Sequence, residues 1–171
     1  MSNSRIDSMI RVDQAGEYGA VRIYAGQLAV MGTRAKGSDK IAEMAAQEAV
    51  HQREFSALMS ARGARPTALQ PIWHVAGFAL GAATALMGPK AAMACTAAIE
   101  QVIDEHYTAQ LDELGDSDPE LTNLIARARD DEREHQATAL AAGAEQAPAY
   151  PLLSGTIKLG CRLAIGLSTR I

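Results

Sequence analysis

Apolar residues recur at three- and four-residue spacing along most of the chain, and no stretch shows the Val/Ile/Thr-rich alternation of a strand. Breakers cluster at positions 32–38, 63–71, 88–89, 115–119 and 147–151, so the pattern predicts six helices, at about 5–31, 39–62, 72–87, 90–114, 119–142 and 150–168. The first, second, fourth and fifth are the longest. Four such helices suit a bundle whose two hairpins are joined by one long crossing, and the third helix supplies that crossing. Ser117, ahead of Pro119 and Glu120, marks the start of the fifth helix by offering an N-cap hydroxyl and a reciprocal carboxylate. The expectation is an all-α fold: one domain over residues 1–171, a four-helix bundle with two additional apolar helices.

Composition sharpens this expectation. Hydrophobic residues make up 48% of the chain but aromatics only 4%, so the core is built mainly of Ala, Leu, Ile, Val and Met, which helices accept well. A net charge of -4 gives no positive field for a phosphate backbone, which argues against nucleic-acid binding. Cys95 and Cys161 sit among small or apolar neighbours and read as reduced, buried thiols. The first eleven residues lack the apolar core of a secretory signal, so a cytoplasmic location is expected.

Between Ile72 and Ile99 the only charge is Lys90, yet Gly88-Pro89 breaks the stretch and its first half is too short to span a bilayer. That half is expected to be buried or interfacial, with Leu80, Leu86 and Met87 able to meet a lipid tail. The last helix carries Lys158 and Arg162 and is followed by Arg170, with no acidic residue. Two occupants suit this apolar, basic surface: a lipid interface, which would put the protein peripherally on the cytoplasmic face of the cell membrane, or the bundle and another subunit.

Two Glu-x-x-His pairs stand out, Glu48 with His51 and Glu132 with His135. Residues three apart project from one helix face, so each pair can hold a metal. Eleven glutamates and four histidines would give roughly 0.26 such pairs by chance, so spacing must carry the argument. Glu17 lies 31 residues before Glu48, and Glu100 lies 32 before Glu132. The chain thus shows twice a lone-Glu helix followed by a Glu-x-x-His helix. Two lone glutamates and two Glu-x-x-His pairs on four facing helices match the ligand set of ferritin-like di-iron and di-manganese proteins. Small neighbours agree with inward projection: Gly16, Gly19 and Ala20 beside Glu17, and Ala97, Ala98 and Ile99 before Glu100.

Tyr107 lies seven residues after Glu100, two turns along the same face, and Tyr24 stands in the same relation to Glu17. Either can line the site or simply pack between helices. His106 falls on another face from Glu100, and His74 has no acidic partner at ligand spacing, so both read as non-ligands. His106 remains a candidate hydrogen-bonding group near the site.

The run Ile10-Arg11-Val12-Asp13-Gln14-Ala15-Gly16-Glu17-Tyr18-Gly19-Ala20, followed by Arg22-Ile23-Tyr24-Ala25-Gly26-Gln27, resembles the first helix of the demethoxyubiquinone hydroxylases. Arg65-Pro66-Thr67, Gly77-Phe78-Ala79-Leu80-Gly81, Ala92-Met93-Ala94-Cys95-Thr96, Asp131-Glu132-Arg133-Glu134-His135 and Ala147-Pro148-Ala149-Tyr150 extend the similarity through the chain. The resemblance implies two iron ions per chain, held by Glu17, Glu48, His51, Glu100, Glu132 and His135. It also implies hydroxylation of a polyprenyl benzoquinol ring with O2 in ubiquinone biosynthesis. His106-Tyr107 resembles a family pair, which implies a place for both near the quinone head. Reduction by NADH or by the quinol itself is further implied, and homo-oligomers or other ubiquinone-synthesis proteins are candidate partners. Within the same ligand set a ferroxidase or a manganese catalase is the alternative, because both metals accept O and N donors. From another class comes a metal-free helical lipid-binding scaffold, in which the glutamates would be buried without partners.

Overall fold

A computed structural model describes residues 2–171. The six helices are α1 (Asn3–Met31), α2 (Ser38–Arg62), α3 (Gln70–Leu86), α4 (Pro89–Leu114), α5 (Pro119–Ala141) and α6 (Tyr150–Ser168), with a 3₁₀ turn at Ala144–Gln146 and no strand among the described residues. The punctuation explains the boundaries. Gly63 ends α2 in the left-handed conformation and returns its N–H to Met59 and Ser60, while Pro89, Pro119 and Pro151 sit in the first turns of α4, α5 and α6.

The cap of α5 differs from expectation. Asp118, not Ser117, accepts the Leu121 N–H at 3.1 Å. Pro119 occupies the first helical position, which makes its immediate predecessor the cap and leaves Ser117 one residue too early. Glu120 does not fold back onto the cap: it takes Arg62 from α2 at 2.6 Å, and the same guanidinium grips Asp118. The α2 C-terminus is thereby tied to the α5 N-terminus.

α1 with α2, and α4 with α5, form two hairpins that face each other, and α3 crosses between them. α3 lies on α1 at backbone contact. A Cβ on Gly81 would enter the Ile23 carbonyl, and one on Gly26 would meet the Phe78 carbonyl, so only glycine permits this approach. Leu80 turns inward to a cavity described below, whereas Leu86 and Met87 lie exposed. α6 packs on α4, and its basic residues are engaged there: Arg162 pairs with Glu105 at 2.9 Å and Lys158 donates to Gln101. No described helix is long and apolar enough to cross a membrane.

The core divides into two apolar clusters. One holds Ile10, Phe55, Ile103, Leu121 and Ile125; the other holds Ala20, Ile41, Met44, Met93 and Ala139. Positions 17, 48–51 and 132–135 lie between them along α1, α2 and α5. A layer of buried polar side chains is thus closed above and below by hydrocarbon.

Candidate metal centre

That layer brings together all six glutamates and histidines read from the sequence. Each is at most 5% exposed. They form two sets of four, Glu17, Glu48, His51 and Glu132 in one and Glu48, Glu100, Glu132 and His135 in the other, with the donor atoms of each set within 4.8 Å of one another. Glu48 and Glu132 belong to both sets. Each half therefore combines the lone glutamate and the histidine of one hairpin with two carboxylates shared across the centre.

The remaining contacts cross between the halves. Tyr107 donates to Glu17, and Tyr24 donates to Glu100 at 2.6 Å, so each tyrosine holds the lone glutamate of the opposite hairpin. His51 Nε2 meets Asp131 at 2.9 Å and His135 Nε2 meets Gln47 at 2.8 Å. With the outer nitrogens so occupied, both Nδ1 atoms point inward: His51 Nδ1 is 3.6 Å from Glu17 and Glu132, and His135 Nδ1 is 3.0 Å from Glu48. Tyr24 and Tyr107 are fully buried, so both line the centre instead of packing elsewhere. His74 stands apart, bonded to Tyr18 at an exposed position, and His106 contacts none of the six, pairing with Asp13 instead.

Without a cation this arrangement is electrostatically frustrated. Burial, followed by the charge of Glu132, pushes the Glu48 and Glu100 carboxyls well above the ordinary carboxylate range, and burial raises Glu132 as well. Burial also opposes charge on the two imidazoles. At His51 the nearby carboxylates of Glu132, Glu17 and Asp131 outweigh it and raise the ring to about 11, whereas at His135, where the outer partner is the neutral Gln47 amide, burial prevails and lowers it. Every one of the six residues carries at least one buried donor or acceptor atom with no hydrogen-bond partner, and for Glu48 and Glu132 both carboxylate oxygens are so placed. An orphaned buried carboxylate costs several kcal/mol. Four carboxylates and two Nδ1 donors aimed at common points remove that cost if two divalent cations sit between them, and the donor set suits iron or manganese. The residues fit such a group.

Gln47 and Asp131 were not singled out from the sequence, although a signal exists: each immediately precedes the glutamate of a Glu-x-x-His pair. Asp13 and Gln110 were also missed as functional residues. Asp13 is 1% exposed and accepts from Gln110 Nε2 at 2.8 Å. Its position one turn before Glu17, on the same face, was the available clue.

Two openings approach the layer. One is a cavity of about 410 Å³ between α1, α3, α4 and α6, lined by apolar groups such as Ile23, Leu80, Ile99 and Ile165, with Tyr107, His106 and Asp13 among its few polar side chains. The other is a polar recess of about 420 Å³ between α2 and α5, where Gln47, Glu54, Arg127, Asp130 and Asp131 surround His51.

Comparison with known proteins agrees with this architecture. A model of the family described as ubiquinone biosynthesis protein COQ7 matches residues 4–168. The chain is 57% identical over 166 residues to a 3-demethoxyubiquinol 3-hydroxylase of Rhodospirillum rubrum, covering 97% of this chain and 78% of the relative. It is 50% identical over 175 residues to a mitochondrial NADPH-dependent 3-demethoxyubiquinone 3-hydroxylase of Homo sapiens, covering 100% and 80%. It is 41% identical over 182 residues to a mitochondrial 5-demethoxyubiquinone hydroxylase of Saccharomyces cerevisiae, covering 97% and 78%.

Proposed function

Because the chain belongs to the COQ7 family of ubiquinone biosynthesis proteins, we propose that it is a di-iron monooxygenase that hydroxylates the ring of a demethoxyubiquinol with O2. The observation that carries this proposal is the buried Glu/His layer lying beside an apolar cavity, with Tyr107, bonded to Glu17, in the wall between them.

Glu17 and His51 would hold one iron and Glu100 and His135 the other, with Glu48 and Glu132 shared by both. Two irons held there supply the electrons and the Lewis acidity that O2 activation requires. Asp131 and Gln47 keep the histidine rings turned so that Nδ1 faces inward. Tyr107 and Tyr24 restrain the lone glutamates, and burial keeps both phenols protonated by raising them well above the ordinary tyrosine range. The two apolar clusters exclude water from above and below. Tyr107 lies at the boundary, bonded to Glu17 on one side and lining the cavity on the other, so a ring admitted through the cavity comes to rest beside the cluster.

The reductant belongs to the same proposal. The human relative is named as NADPH-dependent, and a reduced nicotinamide, NADH or NADPH, or the quinol itself would serve. Peripheral membrane association is proposed on the exposed Leu86, Met87, Leu152, Leu159 and Leu163 of α3, its C-terminal flank and α6, because a polyprenyl tail partitions into lipid. Replacing Leu152, Leu159 and Leu163 together by glutamine is expected to abolish co-sedimentation with phospholipid vesicles; unchanged co-sedimentation would refute this.

The activity is tested by loading anaerobic protein with Fe(II), adding a short-tailed demethoxyubiquinol and O2, and determining the product by mass. A product heavier by one oxygen atom, labelled when the gas is ¹⁸O2, is expected. Bound metal without product would favour a ferroxidase or a catalase.

A further inference from the structure

The two halves of the metal centre are alike in their donors. Each has a lone glutamate, a histidine and two shared carboxylates, and in each a tyrosine from the facing hairpin grips the lone glutamate. Both rings also share one tautomer. Nε2–H of His51 donates to Asp131 Oδ2 at 2.9 Å and Nε2–H of His135 donates to Gln47 Oε1 at 2.8 Å, which leaves each Nδ1 lone pair for a metal.

The halves part at this outer acceptor. A shift of 84 residues carries Glu48 onto Glu132, His51 onto His135 and Gln47 onto Asp131, so one position of the repeat holds a neutral amide in α2 and a carboxylate in α5. Each reaches across to the other helix's histidine, so the carboxylate backs His51 and the amide backs His135. No arginine cancels the Asp131 charge. Glu54 and Asp130, beside it in the α2/α5 recess, are taken by Arg127 and Arg129, whereas Asp131 pairs only with the His51 ring among the described residues.

We propose that the two metal positions are unequal: the Glu17/His51 position fills first and holds its ion more tightly, and the residue before each Glu-x-x-His pair decides this. The proposal rests on the layer being a two-metal centre. An imidazole that donates to a carboxylate gains electron density at its free nitrogen and becomes the better donor to a cation, whereas an amide acceptor orients the ring and adds little charge. Asp131 and Gln47 are therefore positioning residues that also set ligand strength. At limiting metal the occupied position is the one whose glutamate is bonded to Tyr107 in the wall of the apolar cavity, and the ion beside Glu100 and His135 is the one that exchanges.

Two cations in one layer repel each other, so the second binds more weakly even where the positions are equal. The experiment must therefore show which position fills. Asp131→Asn and Gln47→Glu change charge and almost nothing of shape, and both residues reach solvent, so neither variant threatens the fold. The probe is Mn(II), which suits the same donors. Metal-free protein is crystallised with one equivalent and the ion located by anomalous diffraction, while the EPR signal of free Mn(II) in solution gives the two stepwise dissociation constants. In the wild type the main peak is expected beside Glu17 and His51. Asp131→Asn is expected to even out the two positions and to raise the first dissociation constant by about tenfold. Gln47→Glu is expected to even them out from the other side, lowering the second constant by about the same factor. Equal peaks in the wild type, a first ion beside His135, or variants that leave both constants unchanged would overturn the inequality and leave the two-metal centre standing. Absence of Mn(II) from the layer at saturation would overturn both.

Discussion

The two openings that approach the Glu/His layer have nearly the same volume, about 410 and 420 Å³, and opposite chemistry. On the α1/α4 side, α3 and α6 roof over a mainly hydrocarbon cavity with the Asp13–His106 pair among its few polar groups. On the α2/α5 side no further described helix covers the hairpins, and charged groups reach His51 through Asp131, which is itself partly exposed. One polar layer is therefore reached through two media: a dry route that suits a prenylated ring and a wet route that suits ions and water.

Removing a shared ligand should break this comparison entirely, because both routes lead to the same centre. Glu132→Ala, affecting both halves, is expected to abolish hydroxylation and to leave fewer than half the wild-type irons by elemental analysis, with helicity retained in circular dichroism.

A second test separates the routes. Gly19 lines the dry cavity, and a Cβ there meets nothing within 4 Å, so Gly19→Leu is expected to raise KM for the quinol by about tenfold or more without loss of bound iron. Glu54→Leu, at the rim of the wet recess, is expected to leave that KM unchanged. Equal effects from both variants would mean that the two openings are not distinct routes.

The roof of the dry cavity depends on glycine. Gly81→Ala forces α3 away from α1 at Ile23 and is expected to cost about 1–3 kcal/mol in chemical denaturation.

The centre should also write itself into the pH dependence of the metal-free protein. Glu48 and Glu100 are raised, so the folded state holds protons that the unfolded state has released; their stabilisation is complete below the ordinary glutamate value of 4.5 and fades as pH rises. His51, raised from 6.5 to about 11, acts in the same direction above 6.5, while His135, being lowered, opposes it below 6.5. The metal-free melting temperature is therefore expected to fall between about pH 7 and about pH 9, and added Fe(II) should flatten that slope. A metal-free protein that gains stability over this range would contradict the account.

The smallest effect expected is at Ala149, the one described non-glycine residue with positive φ, at 50°. Ala149→Gly should stabilise the start of α6 by roughly 0.5–1 kcal/mol.

The sequence made some of this legible and hid the rest for a definable reason. Periodicity and breakers locate elements because both are local, which is why α4 and α5 begin where Gly88-Pro89 and Pro119 say. The Glu-x-x-His pairs are legible because three-residue spacing fixes a shared helix face. Spacing within a helix says nothing about what lies opposite, however. Glu48 and Glu132 are the shared carboxylates, and Tyr24 serves Glu100 instead of its own helix's Glu17, only because the two hairpins face each other. Nothing in the spacing of α1 alone marks Asp13 as buried, and its burial emerges only once α4 brings His106 and Gln110 against it.

The central claim, two metals in one layer with Glu48 and Glu132 between them, is tested most directly by anomalous diffraction at the iron edge from crystals grown anaerobically with Fe(II). Two peaks are expected within the layer, one beside Glu17 and His51 and the other beside Glu100 and His135. A single peak, or iron bound only outside these six side chains, would contradict it.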